Sequence, residues 1–108
     1  MAQYIFIQSR DAFSSVEATR DLELMAELAR AGGELTVFLV QNGVLPARRS
    51  ARSDALAALA RQGVEVLADD FSLRARGIAA SQLAPGVKVA SIEAVLDAME
   101  NGRKAVWH

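Results

Sequence analysis

The chain is predicted to fold as an α/β domain in three layers, α/β/α, around a mostly parallel five-stranded sheet. Three observations predict it. Short apolar runs rich in β-formers, among them Tyr4-Ile5-Phe6-Ile7 and Leu35-Thr36-Val37-Phe38-Leu39-Val40, read as strands buried on both faces. Between the runs, apolar residues recur at helical spacing. Runs and helical stretches alternate along the chain, which implies right-handed crossovers and a parallel sheet covered on both sides, a Rossmann-like arrangement. The 108 residues suit one domain spanning 1–108.

The elements follow in order. After the first strand, Gln8-Ser9-Arg10-Asp11 is a polar loop. Ser14 and Glu17 are spaced as a capping box. Ala18, Leu22, Met25 and Ala29 then mark one face of a helix over 16–31, stopped by Gly32-Gly33. The second strand runs into Gln41-Asn42-Gly43-Val44. An Asn-Gly pair can close a hairpin, but Pro46 and a run of arginines and serines follow instead of a strand, so these residues are read as a turn leading off a parallel strand. Ser53 is an N-cap candidate for a second helix with Leu56, Leu59 and Ala60 on its face. Val64-Glu65-Val66-Leu67-Ala68 is the third strand. A short helical segment is expected over 71–77, then an irregular stretch with Pro85-Gly86 as a turn. Residues 87–90 form a fourth strand. Ser91 is expected to cap a last helix whose core face is Ile92, Val95, Leu96 and Met99, and Ala105-Val106-Trp107 ends the sheet.

Composition excludes several classes of chemistry. The chain has no cysteine, which removes disulfides, Cys-ligated zinc, iron–sulfur clusters and thiolate nucleophiles. Its one histidine is His108, too little for a histidine-based zinc site and, at the chain's last position, a poor general base. A net charge of −1 argues against a nucleic-acid partner, which calls for a basic stripe. No stretch approaches the roughly 20 apolar residues of a membrane span, and the first residues lack the basic start of a signal peptide. A cytoplasmic protein without metal, cofactor, membrane or nucleic-acid partner is the expectation.

In open parallel sheets, ligands sit beyond the carboxyl ends of the strands. The loops there span 8–11, 41–49 and 69–72, with the start of the last helix at Ser91. No G-x-G-x-x-G or phosphate-binding loop with Gly-Lys occurs among them, so nucleotide binding of those types is not expected. Arg48, Arg49 and Arg52 cluster beside a helix start, where guanidiniums and free N–H groups suit an anion. A solvated loop whose arginines pair with acids at a subunit contact is the favoured reading of the three. Asp69 and Asp70 could split into acid and base or hold a hard cation, but acids before a short helix more simply cap it. The serines read as cap and loop residues, and no G-x-S-x-G elbow is present. Trp107 reads as a packing or interface residue.

Several of these stretches resemble the DsrE/DsrF/DsrH-like sulfur-relay family. They are Val37-Phe38-Leu39-Val40-Gln41-Asn42-Gly43-Val44, the helix 56–63 ending in glycine, and Gly63-Val64-Glu65-Val66-Leu67-Ala68-Asp69-Asp70-Phe71-Ser72-Leu73-Arg74-Ala75-Arg76-Gly77-Ile78. The closing Gly86-Val87, last helix and last strand also match. The resemblance implies a Rossmann-like fold, homo-oligomers or mixed complexes with thiol-bearing relatives, and roles around sulfur transfer. It also implies a persulfide-carrying cysteine after the third strand, where this chain reads Leu67-Ala68-Asp69-Asp70-Phe71. Sulfur relay needs a thiolate, so the implied catalytic residue is missing and no catalytic residue is assigned. Three functions are therefore expected, in this order: a non-catalytic scaffold or partner subunit in sulfur metabolism; a small-ligand or anion-binding module using Gln41, Asn42, Arg48, Arg49, Asp69, Asp70 and Ser72; and an enzyme working through Asp69 or Asp70.

Overall fold

The structure is a computed structural model, and it describes residues 3–11, 16–48 and 54–107. Five strands, β1 (Gln3–Gln8), β2 (Glu34–Leu39), β3 (Glu65–Asp69), β4 (Val87–Ala90) and β5 (Lys104–Trp107), form one sheet in the order β4-β3-β2-β1-β5. Every neighbouring pair is parallel. Four helices accompany them: α1 (Val16–Arg30), α2 (Asp54–Arg61), α3 (Asp70–Ala75) and α4 (Glu93–Glu100). The predicted order of elements is the observed one.

Alternation along the strands divides the core in two. Phe6, Val37, Leu39, Val66 and Ala68 point to one face and pack with Met25 of α1, Leu56 and Leu59 of α2, and Leu73 of α3. Ile5, Ile7, Phe38, Val40 and Leu67 point to the other face, where Val95 of α4 meets them and Ala90, Ala94 and Ala98 complete the contact. At the amino end of this second face the Thr36 hydroxyl donates to Glu65 Oε1 at 3.2 Å. The Arg103 guanidinium donates to the same Thr36 oxygen.

Three local expectations are corrected. The residues after β2 do not form a simple turn but a 3-10 segment, Gln41–Ala47, with Pro46 inside it. Pro46 fits because proline fixes φ near −65°, within the 3-10 range, and lacks only a donor. Ser91 does not cap α4: Ile92 holds the N-cap position, with no side-chain cap bond. The Ser91 carbonyl instead accepts the Ala94 N–H at 3.0 Å.

The third correction is the core face of α4. Of Ile92, Val95, Leu96 and Met99, only Val95 is buried; the others are 51%, 54% and 53% exposed. The reason is packing. Large strand side chains already fill the second face, so the helix turns its small ridge, Ala94, Val95 and Ala98, inward, since close packing pairs large residues with small ones. On α1 and α2 the expected faces hold, through Met25, Leu56 and Leu59. The expectations for Ser14, Ala18, Arg52, Ser53 and His108 lie outside the described residues and side chains.

Candidate functional site

β2 and β3 end side by side, and their carboxyl ends carry the segments 41–47 and α3 away from the sheet. Val40 extends β2 by one further bond, donating its N–H to the Gln8 carbonyl at 3.0 Å. Gln41 then turns the chain with φ +52°, a left-handed conformation uncommon for a residue with a Cβ. Gly43 follows because no other residue fits: a Cβ there would run into the Gln8 carbonyl.

One hydroxyl ties the two segments together. The Gln41 backbone N–H donates to Ser72 Oγ at 2.8 Å. The Ser72 hydroxyl donates to Asp69 Oδ2 at 2.7 Å, and the Ser72 N–H donates to the same oxygen at 3.0 Å. Asp69 is thus the N-cap of α3, the simpler of the roles its position allowed. Asp70 faces Arg74 one turn on, at 4.0 Å, an exposed i,i+4 pair that contributes little.

A second tie crosses the same gap. Arg76 donates from Nε and Nη2 to Asn42 Oδ1 at 3.3 and 3.1 Å. Its Nη1 donates to the Ser72 carbonyl at 3.2 Å. Arg76 was not singled out from sequence. The signal was available in the Leu-Arg-x-Arg-Gly stretch, where residue i+4 from Ser72 returns to the same helix side.

These residues wall an open cleft of about 530 Å³ lined by Val40, Gln41, Asp69, Asp70, Phe71, Ser72, Arg76, Ser91 and Ile92. Gln41, Asp69, Asp70 and Ser72 of the expected set meet there. Asn42 joins through Arg76. Arg48 does not: it closes the 3-10 segment, bridges to Leu83 and turns its Nε back to the Leu45 carbonyl at 3.4 Å. Arg49 lies outside the described residues. None of the described residues in the loop after β1 lines the cleft either. The side chain of Gln8, the last residue of β1, is buried, with neither amide atom hydrogen-bonded among the described residues.

The chemistry open to the cleft is limited. Ser72 is engaged as donor and as acceptor, so its hydroxyl is structural. Among the described residues lining the cleft the cation is Arg76, which cannot act as a base. The arrangement can orient and recognise polar groups at its wall, while Phe71 and Ile92 make its mouth apolar. Among the described residues no three His, Asp or Glu side chains gather as metal ligands would, and no helix is long and apolar enough to cross a membrane.

The sequence profile of the family described as DsrE/DsrF-like matches residues 2–107. No curated protein matches the chain. Among solved structures, the protein MTH1491 of Methanobacterium thermoautotrophicum superposes with a TM-score of 0.81 at 24% identity, covering 100% of both chains. The ychN protein of E. coli gives 0.83 at 21% identity, over 98% of this chain and 99% of that one. BT1422 of Bacteroides thetaiotaomicron gives 0.78 at 15%, over 98% and 94%. At these identities the likeness is one of fold.

Proposed function

The chain belongs to the DsrE/DsrF-like family, and from that premise we propose that it is a non-catalytic subunit of a cytoplasmic sulfur-relay assembly, holding or positioning a thiol-bearing relative. One observation carries the reading. The stretch at the end of β3, where sulfur-carrying relatives are expected to hold a persulfide, reads Leu67-Ala68-Asp69-Asp70-Phe71, and the Asp69 carboxylate in it is engaged in capping α3 through Ser72. A chain without cysteine has no sulfur nucleophile with which to take up and hand on a sulfane atom.

The test pairs two measurements. After incubation with polysulfide, intact mass spectrometry should find no sulfur added to this chain. When it is mixed with a cysteine-bearing DsrE-like protein, light scattering after size exclusion should find both in one complex. A covalent sulfur adduct on this chain, or two proteins that elute apart, would sink the proposal.

A second reading, that the cleft binds a small anion, is favoured by the convergence of Gln41, Ser72, Arg76 and Ser91 on one cavity. Under it, thiosulfate or sulfite should raise the melting temperature, and Arg76→Ala should remove that shift. The cation is then Arg76 rather than Arg48, which faces elsewhere.

A further inference from the structure

The outer side of α4 carries an apolar line that belongs to neither core cluster of the described residues. Ile92, Leu96 and Met99, spaced i, i+4, i+7, fall on one stripe of the helix surface, and each is about half exposed. Phe71, 70% exposed, stands at the start of α3 and shares the cleft with Ile92, which extends the stripe off the helix. The other large exposed apolar residues described, Leu24 and Val89, lie on α1 and β4. A contiguous apolar patch on a small soluble domain marks a contact surface more often than scattered single residues do.

Charge says what kind of surface fits. The helix carries Glu93, Asp97 and Glu100 and no lysine or arginine. A 3.6-residue repeat sets those three acids along one flank of the apolar line. Asp70, beside Phe71, already faces Arg74 and adds no net charge to the patch. A twofold contact of antiparallel α4 helices would bring acid flank against acid flank, which like-charge juxtaposition disfavours.

The other apolar hollow described lies between α1 and α2, about 270 Å³ lined by Leu22, Ala26, Ala55, Ala58 and Leu59. It sits on the opposite side of the sheet. Copies joined patch to hollow would meet head to tail through two different surfaces, a heterologous contact rather than a closed twofold pair.

We infer that Ile92, Leu96, Met99 and Phe71 form the docking face for a separate protein whose contact surface has an apolar centre and a Lys/Arg rim. The inference rests on the subunit reading and deepens it by naming the face. Three half-exposed side chains and the more exposed Phe71 supply roughly a few hundred Å² of apolar contact, short of the roughly 800 Å² per partner of a standard stable interface. The basic rim must therefore contribute, and the contact is salt-sensitive.

The probe is a synthetic amphipathic helical peptide with a leucine stripe and a lysine flank, compared with a twin carrying a glutamate flank. Fluorescence anisotropy should show the lysine peptide binding and the glutamate peptide failing to bind. Added salt should weaken the binding. Leu96→Glu and Met99→Glu should each weaken it about tenfold or more, while Leu24→Glu leaves it unchanged. Both α4 positions are solvent-facing, so circular dichroism should show the fold retained; Leu96→Gln serves if it is not.

Equal binding of the two peptides, or equal damage from Leu24→Glu, would overturn the face. So would a self-associated protein that Leu96→Glu dissociates, since a second copy would then be the occupant. The cysteine-bearing relative separates the two proposals. If it binds the wild type and Leu96→Glu alike, the face falls and the subunit reading stands. If it does not bind while the lysine peptide does, the subunit reading falls and the face stands.

Discussion

The two faces of the sheet are covered very differently. One meets α1, α2, α3 and the 3-10 segment, with Met25, Leu56, Leu59 and Leu73 sunk into it. The other meets the eight residues of α4, through one valine and small side chains. Both faces are nonetheless dry where they are covered: Ile5 and Phe38 on the thin side are as buried as Val37 and Met25 on the thick side. Burial of a strand residue thus depends on whether a helix lies over it at close range, not on how many helices do. Alanines allow that close range, and they also leave a helix free to turn its larger residues outward.

The comparison can be broken most sharply at Phe38. Removing its ring should cost about 3–5 kcal/mol if the thin face is a true core, read as a lower urea midpoint for Phe38→Ala; a loss below about 1 kcal/mol would mean that α4 covers little. Gly43→Ala probes the thick side, where the 3-10 segment presses on the Gln8 carbonyl. It should cost about 1–3 kcal/mol through overpacking, measured in the same titration, and a neutral result would show that the segment can move aside. The smallest effect is expected at Leu96→Ala. Its side chain faces outward, so stability should change by less than about 0.5 kcal/mol. A loss comparable to that of Phe38→Ala would place Leu96 in the core after all.

Much of this was legible in the sequence, and the failures have causes. Strands such as Tyr4-Ile5-Phe6-Ile7 were readable because buried parallel strands are apolar on both sides. α1 was readable from a single dominant stripe through Leu22 and Met25. α4 was not, because it offers two competing apolar stripes. The larger one, Ile92-Leu96-Met99, looks like core until the volume of Phe38 and Leu67 beneath it is known. At the cleft, the loops were placed by topology alone, and Gln41, Asp69 and Ser72 do meet there. Arg48 was misplaced because the 3-10 segment redirects the chain, and Pro46 with Asn42-Gly43 did not announce a segment of that kind. The i+4 spacing from Ser72 put Arg76 on the right side of α3, but its partner Asn42 lies 34 residues away, a pairing that the spacing does not reveal.

The seat of β5 bears on how the molecule is made. β5 lies beside β1, the first strand, pairing Tyr4 with Lys104 and Ile7 with Trp107. Contacts so far apart along the chain are slow to form, because the intervening loop must first be closed. During synthesis β1 therefore waits with one row of its N–H and C=O groups unmatched, the kind of edge on which nascent chains aggregate. The helix that precedes β5 is the thin-face α4, so the same late stretch of polypeptide both shelters Ile5 and Ile7 and removes the exposed strand edge beside them.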